Sequence, residues 1–196
     1  DLAIALPDWN SFRAARAQLV ASGRFTEVGQ TAHRIRHVDR MMLDLVPFGG
    51  METSTRTLEW PPDGSVRMNV LGYREARAAA HRIRLPNAIE ALLVSYPSLV
   101  ALKLICWRDR HLRTPRRDAQ DTWVLLHSAS SCMDNARLTD ALAAWSSADD
   151  FRFETVAPRL LGNDIRRELS GVVVNELLQI LDAQTRADEP GKFPTK

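Results

Sequence analysis

At Tyr96 the apolar pattern of the chain changes period, and that change restricts the fold more than any other feature. Before it, apolar residues fall in short runs separated by Gly, Pro and polar turns, at residues 1–6, 25–28, 32–38, 41–46, 66–71 and 89–95. These runs have the length of strands. Pro7-Asp8 signals a helix start, Trp9, Phe12, Leu19 and Val20 supply its apolar positions, and Gly23 ends it. A short alanine-rich helix is expected over 72–80. Pro47-Phe48-Gly49-Gly50 should break the strand that begins at Met41, and Trp60-Pro61-Pro62-Asp63-Gly64 should form a rigid turn. After Tyr96 the spacing is helical, over 98–110, 117–128, 138–145 and 164–183. In the last of these Ile165, Leu169, Val172, Val173, Leu177, Ile180 and Leu181 make one apolar face that must pack on something. The class predicted is α+β: an N-terminal mixed sheet with flanking helices over 1–95, a helical region over 96–186, and a flexible tail over 187–196.

With 196 residues, 45% of them hydrophobic, the chain has material for a real core. No run approaches the roughly 18 apolar residues of a membrane span, and there is no basic leader, so the expected location is the cytoplasm. Cys106 and Cys132 are too few and too far apart in pattern for a disulfide framework or a zinc site, and both read as reduced thiols. A formal net charge of +2 gives no bulk attraction to nucleic acid, so such a contact needs a local basic patch. Lysine occurs only at Lys103, Lys192 and Lys196, which singles out Lys103 within the body of the chain. Asp1 leads straight into an apolar strand with no lead-in, so an element before it is expected upstream of this sequence.

Three groups of residues are candidates for chemistry. Asp44 stands inside Met42-Leu43-Asp44-Leu45-Val46-Pro47-Phe48 and shares a strand face with Met42 and Val46, where a carboxylate wants a cation. Asp1 is the second acid joined to an apolar strand. Two such carboxylates on neighbouring strands would repel unless a positive charge lay with them, and Mg²⁺ held by one or two carboxylates plus substrate phosphates supplies one. A strand-edge acid in a salt bridge accounts for Asp44 equally well. Along 99–110, Leu99, Leu102 and Cys106 read as a buried stripe and Lys103, Trp107 and Arg110 as an adjacent face at i, i+4 and i+7, either cationic for a triphosphate or simply solvated. Asp118 and Asp121, three apart at the start of the next helix, suit the helix dipole or catalysis alike.

Taken in order, these segments resemble a family. Asp1-Leu2-Ala3-Ile4-Ala5-Leu6 looks like the strand after the second acid of a D-x-D motif, and Met42 to Gly49 like the strand bearing the third acid. The run from Leu102 to Arg110 resembles a lysine-to-arginine helix motif, and Arg117-Asp118-Ala119-Gln120-Asp121 the D-x-x-D motif that follows it. His33-Arg34-Ile35, Trp60-Pro61-Pro62-Asp63, Met68-Asn69-Val70 and Leu160-Leu161-Gly162 extend the likeness over nearly the whole chain. The resemblance is to nucleotidyltransferases of the AbiEii/MenT-like group, toxins of type IV toxin–antitoxin pairs within the DNA polymerase beta-like superfamily. The family pattern also has an upstream helix, a Gly-Ser turn and the first acid of D-x-D, none of which is in this sequence.

The resemblance implies a nucleotidyltransferase-type mixed sheet and transfer of a nucleoside monophosphate from a nucleoside triphosphate to a hydroxyl, RNA or tRNA foremost. It implies Mg²⁺, with Mn²⁺ as the alternative ion, held by Asp1 and Asp44. It gives Lys103, Arg110 and Asp118 to the nucleotide, Asp121 a place beside Asp1 and Asp44 in catalysis, and an antitoxin protein as partner. Arg34 and Arg36 share a strand face near Asp44, as surface charges or as contacts to an acceptor backbone. Two other readings stay open: a catalytically inactive nucleotide- or partner-binding scaffold, and a nucleotidyltransferase of small molecules.

Overall fold

The computed structural model describes residues 1–29, 31–61, 63–111 and 116–185; the tail over 187–196 and Pro62 of the rigid turn lie outside them. The chain divides into two compact units, Asp1–Arg74 and Glu75–Lys196.

The first unit is a four-stranded mixed sheet. After β1 (Leu2–Leu6), Asp8 caps α1 (Trp9–Ala21) by accepting the Ser11 N–H at 2.7 Å, and the helix turns over at Gly23 with φ 73°. Then come β2 (Phe25–Glu27), β3 (Arg34–His37) and β4 (Met42–Gly49), and the spatial order is β1-β4-β3-β2 with only β1 and β4 parallel. A hairpin follows from β5 (Thr57–Glu59) and β6 (Arg67–Asn69). The unit's core gathers Phe12, Ile35, Leu45, Val46, Phe48, Leu58, Trp60 and Val70, so both faces of β4 are buried towards its C-terminal end.

Contrary to expectation, β4 runs through Pro47 to Gly49. The Leu45 N–H points to β3, donating to the His33 carbonyl at 2.7 Å, so the nitrogen of Pro47 lies on that same side. Pairing with β3 ends at Asp44, and the missing N–H of Pro47 therefore costs no ladder bond. Gly49 and Gly50 end the strand by close packing. The Gly50 N–H donates to the Leu6 carbonyl at 3.0 Å, and a Cβ on Gly50 would lie 2.0 Å from the Pro7 carbonyl oxygen.

Short helix α2 (Tyr73–Ala78) spans the boundary between units. In the second unit, β7 (His81–Arg84) and β8 (Glu90–Leu93) form an exposed hairpin; the expected strand at 89–95 is shorter, and its partner over 81–84 carries too many charges to read as one. Ser95 caps α3 (Tyr96–Arg110), followed by α4 (Arg117–Ser128), α5 (Asn135–Trp145) capped by Asp134, α6 (Val156–Glu168) and α7 (Gly171–Thr185). The single helix expected over 164–183 is two helices. Leu169 takes up extended backbone, φ −108° and ψ 152°, and buries its side chain at the break, so its apolar spacing carries the pattern across the kink. Among the described residues no helix is long and apolar enough to cross a membrane, and Cys106 and Cys132 are free thiols.

Candidate functional site

The register of the sheet decides which side chains surround Asp44. The parallel β1–β4 ladder begins at Leu2 and Leu45, and the same register carried one residue back, to just before the strand, would bring Asp1 to the level and face of Asp44. On the other side Arg34 is the antiparallel partner of Asp44. Because His33 and Leu45 carry the backbone bond, Arg34 and Asp44 are the neighbouring pair without mutual backbone bonds, in which side chains approach most closely. The guanidinium uses that closeness as a fork: Nε donates to Asp44 Oδ1 and Nη2 to Oδ2, both at 2.6 Å.

The hydrogen bonds from Arg34 hold the Asp44 carboxyl below its usual range against the opposing effect of its partial burial, and raise the arginine in turn. Asp44 is therefore ionised at neutral pH. His33, on the opposite face, is pushed down chiefly by burial, with Asp44 pulling weakly the other way, and its ring tilts against Trp60 with centroids 5.6 Å apart. Arg36, paired with Met42, is exposed on the Arg34 face.

A second acid in this unit was not legible in the sequence. The side chain of Glu52 is fully buried and accepts the Gly49 N–H at 2.5 Å, with Arg56 Nε 2.7 Å and Arg74 Nη2 3.1 Å from its other oxygen. It ties the end of β4 to the following loop. Nothing in the run Gly50-Met51-Glu52-Thr53 distinguishes it from a solvated loop acid.

In the second unit α3 and α4 bring four charged residues together. Lys103 Nζ donates to Asp121 Oδ2 at 2.6 Å and lies 3.9 Å from Asp118 Oδ1; Arg110 Nη2 donates to the same Oδ1 at 2.7 Å. The i, i+7 spacing of the cations on α3 thus meets the i, i+3 spacing of the acids on α4. Asp118 is buried, and its Oδ2 has no hydrogen bond among the described residues. The expected burial of α3 is corrected here. Val100, Ala101, Leu104, Ile105 and Trp107 are the buried positions, while Leu99, Leu102 and Cys106 are only partly so. The helix packs against α4, α6 and α7 rather than one neighbour, so no single stripe describes it and Trp107 belongs to the core. Burial also pushes the Cys106 thiol up, leaving it protonated.

A family model for the nucleotidyl transferase AbiEii toxin of type IV toxin–antitoxin systems matches residues 1–190. The chain belongs to this family. No curated protein matches the sequence. The span matched to the AbiEii family includes both charged clusters, around Asp44 and around Asp118. Among the described residues no group of three or more His, Cys, Asp and Glu is arranged to hold a metal ion.

Proposed function

We propose that this chain transfers a nucleoside monophosphate from a nucleoside triphosphate to a hydroxyl of RNA, tRNA foremost, as the toxin of a toxin–antitoxin pair. The observation that carries the reading is the parallel β1–β4 register, which begins at Leu2 and Leu45 and so supports Asp1, the residue before the strand, as the neighbour of Asp44. Two carboxylates there suit a Mg²⁺ ion, which takes one or two protein carboxylates and completes its shell with phosphates and water. The fork of Arg34 on Asp44 is common to this assignment and to the reading of Asp44 as a salt-bridged strand acid, since each expects a cation beside the carboxylate. Mn²⁺ would serve with the same oxygen ligands. When bound, such ions neutralise charge on the phosphoryl group and its attacking and leaving oxygens.

The chain's own residues supply the rest. Asp44 is ionised before any ligand arrives, and its backbone is held by pairing with Arg34 on β3 and by the β1 ladder that begins at the next residue. Lys103 offers a point charge and Arg110 a planar fork for phosphate oxygens, and Asp121 and Asp118 hold these two cations in position until the nucleotide takes them. Asp121, half-buried and bonded only through one oxygen in this cluster, also remains a candidate for direct catalysis. A protein antitoxin and a cytoplasmic setting go with this reading.

The test is incorporation from each of four labelled triphosphates into total RNA with Mg²⁺, for the complete protein as wild type and as Asp44→Asn, side by side. Label in the wild type alone is the expected result. Equal incorporation by both removes Asp44 from the mechanism. None by either favours an inactive scaffold or a small-molecule acceptor.

A further inference from the structure

Asp44 is the less exposed partner of its ion pair. Both residues sit on strands paired on both sides, but the acid's side chain is 22% exposed and that of Arg34 41%. The arginine fork engages both carboxylate oxygens at 2.6 Å, so a divalent cation brought to that carboxylate meets a full positive charge already seated there. A carboxylate can satisfy one such neighbour or share itself between two that repel; the more exposed arginine, whose long side chain can turn to water, is the one that can leave.

We infer that Arg34 is the resident counter-cation of Asp44 and that a divalent ion binds there by exchange with it, so that metal loading and release of the guanidinium are one event. The inference rests on reading Asp44 as a metal-binding acid. Until the ion arrives, Arg34 holds the Asp44 carboxylate in one orientation through its two hydrogen bonds. Once displaced it remains tethered on β3, one strand away, with its five donors free for other acceptors. Arg36, two residues on and facing the same way, cannot replace it, because its partner in the register is Met42.

The experiment titrates Mn²⁺ alone into the full chain and follows the free ion by electron paramagnetic resonance, with folding checked by circular dichroism. Arg34→Gln removes the competing charge and should bind Mn²⁺ about tenfold more tightly than the wild type, which corresponds to about 1.4 kcal/mol. Arg34→Lys keeps the charge but loses the fork and should fall between the two. If the glutamine variant fails to fold, tighter binding by the lysine variant still supports exchange. Affinity equal to the wild type or weaker, in whichever variant folds, overturns it and leaves Arg34 as a positioning residue that helps the ion. Asp44→Asn separates this from the underlying reading. If that variant binds Mn²⁺ as the wild type does, Asp44 is not a ligand and the assignment of the site fails, whatever Arg34 does.

Discussion

Asp44 and Asp118 both answer to an arginine, yet one does so on an open sheet face and the other between two packed helices. At Asp44 the arginine makes two hydrogen bonds and both partners retain contact with water. At Asp118 only 2% of the acid's side chain is exposed, against 53% of the side chain of Arg110, and Lys103 stands 3.9 Å from the same oxygen. An ion pair that both partners can leave for water contributes little to stability and can be exchanged for a ligand. A buried carboxylate cannot leave, so its cations serve the helix pair as well as any phosphate. The same chemistry therefore makes a replaceable contact in one unit and a structural clamp in the other.

The widest separation between the two should appear in activity. Asp44→Asn keeps side-chain size and removes the charge, and transfer of labelled nucleoside monophosphate should fall by about 10³-fold, the order seen when one preorganised electrostatic partner is removed. Its urea midpoint should move by less than about 1 kcal/mol equivalent. Asp118→Ala should behave the opposite way in stability, losing about 1.5–3 kcal/mol in a urea titration, because a hydrogen-bonded charge is removed from between α3 and α4. Equal destabilisation by the two substitutions would erase the distinction between an exchangeable and a clamped acid.

Gly50→Ala attacks the first site from a distance. A Cβ there meets the backbone of Pro7 at 2.0 Å, and this seam closes the parallel ladder whose other end, at Leu2 and Leu45, adjoins Asp1 and Asp44. Overpacking should cost about 1–3 kcal/mol, read from thermal unfolding, and should lower Mn²⁺ affinity with it. A variant of native stability would show that the seam yields without cost. For the second site, Lys103→Ala should weaken nucleoside triphosphate binding about tenfold in a calorimetric titration, a loss of about 1.4 kcal/mol, while leaving the fold intact. Unchanged affinity would make the α3–α4 cluster a clamp and nothing more.

What the sequence discloses follows from how far each feature reaches. The strand around Asp44 and the helix ending at Arg110 are legible because periodicity is local, and Asp8 announces the start of α1 through a cap within three residues, whereas the caps at Ser95 and Asp134 start α3 and α5 earlier than the apolar spacing over 98–110 and 138–145 indicates. The family likeness rests on the same local runs, and the match over residues 1–190 agrees with it. Register is not local. That Arg34 rather than Arg36 meets Asp44 depends on which residues of β3 and β4 align, and a shift of two residues would reverse the choice without altering any pattern. Glu52 was invisible for the same reason, since its partners Gly49, Arg56 and Arg74 converge only after the loop closes. The break at Leu169 escaped notice because a buried leucine at a kink keeps helical spacing.

The smallest effect expected is also the one that isolates the Asp44 pair without a ligand. Arg34 depresses the carboxyl of Asp44 below its ordinary value of 3.8, so the folded state binds that proton more weakly than the unfolded chain does. A depressed carboxyl contributes stability that is fully present above the unfolded value and is lost as pH falls through the folded one. Because Arg34 also lowers the His33 imidazole, the comparison is made with His33→Gln in both proteins; there the protein with Arg34 should exceed its Arg34→Gln variant in unfolding stability by a constant margin above about pH 5, and that margin should shrink as the pH drops below 3.8. Subtracting the two curves removes the other carboxylates, including Asp8 and Asp63, whose depressed values come from local bonds to Ser11 and Ser65 that both proteins share. Urea titrations at steps between pH 2.5 and 6 measure the margin, in steps of about half a pH unit. A margin that stays level throughout would mean that the arginine stabilises the sheet through its stem and not through its charge, and Asp44 would then lose its claim to be the exchangeable acid of the comparison.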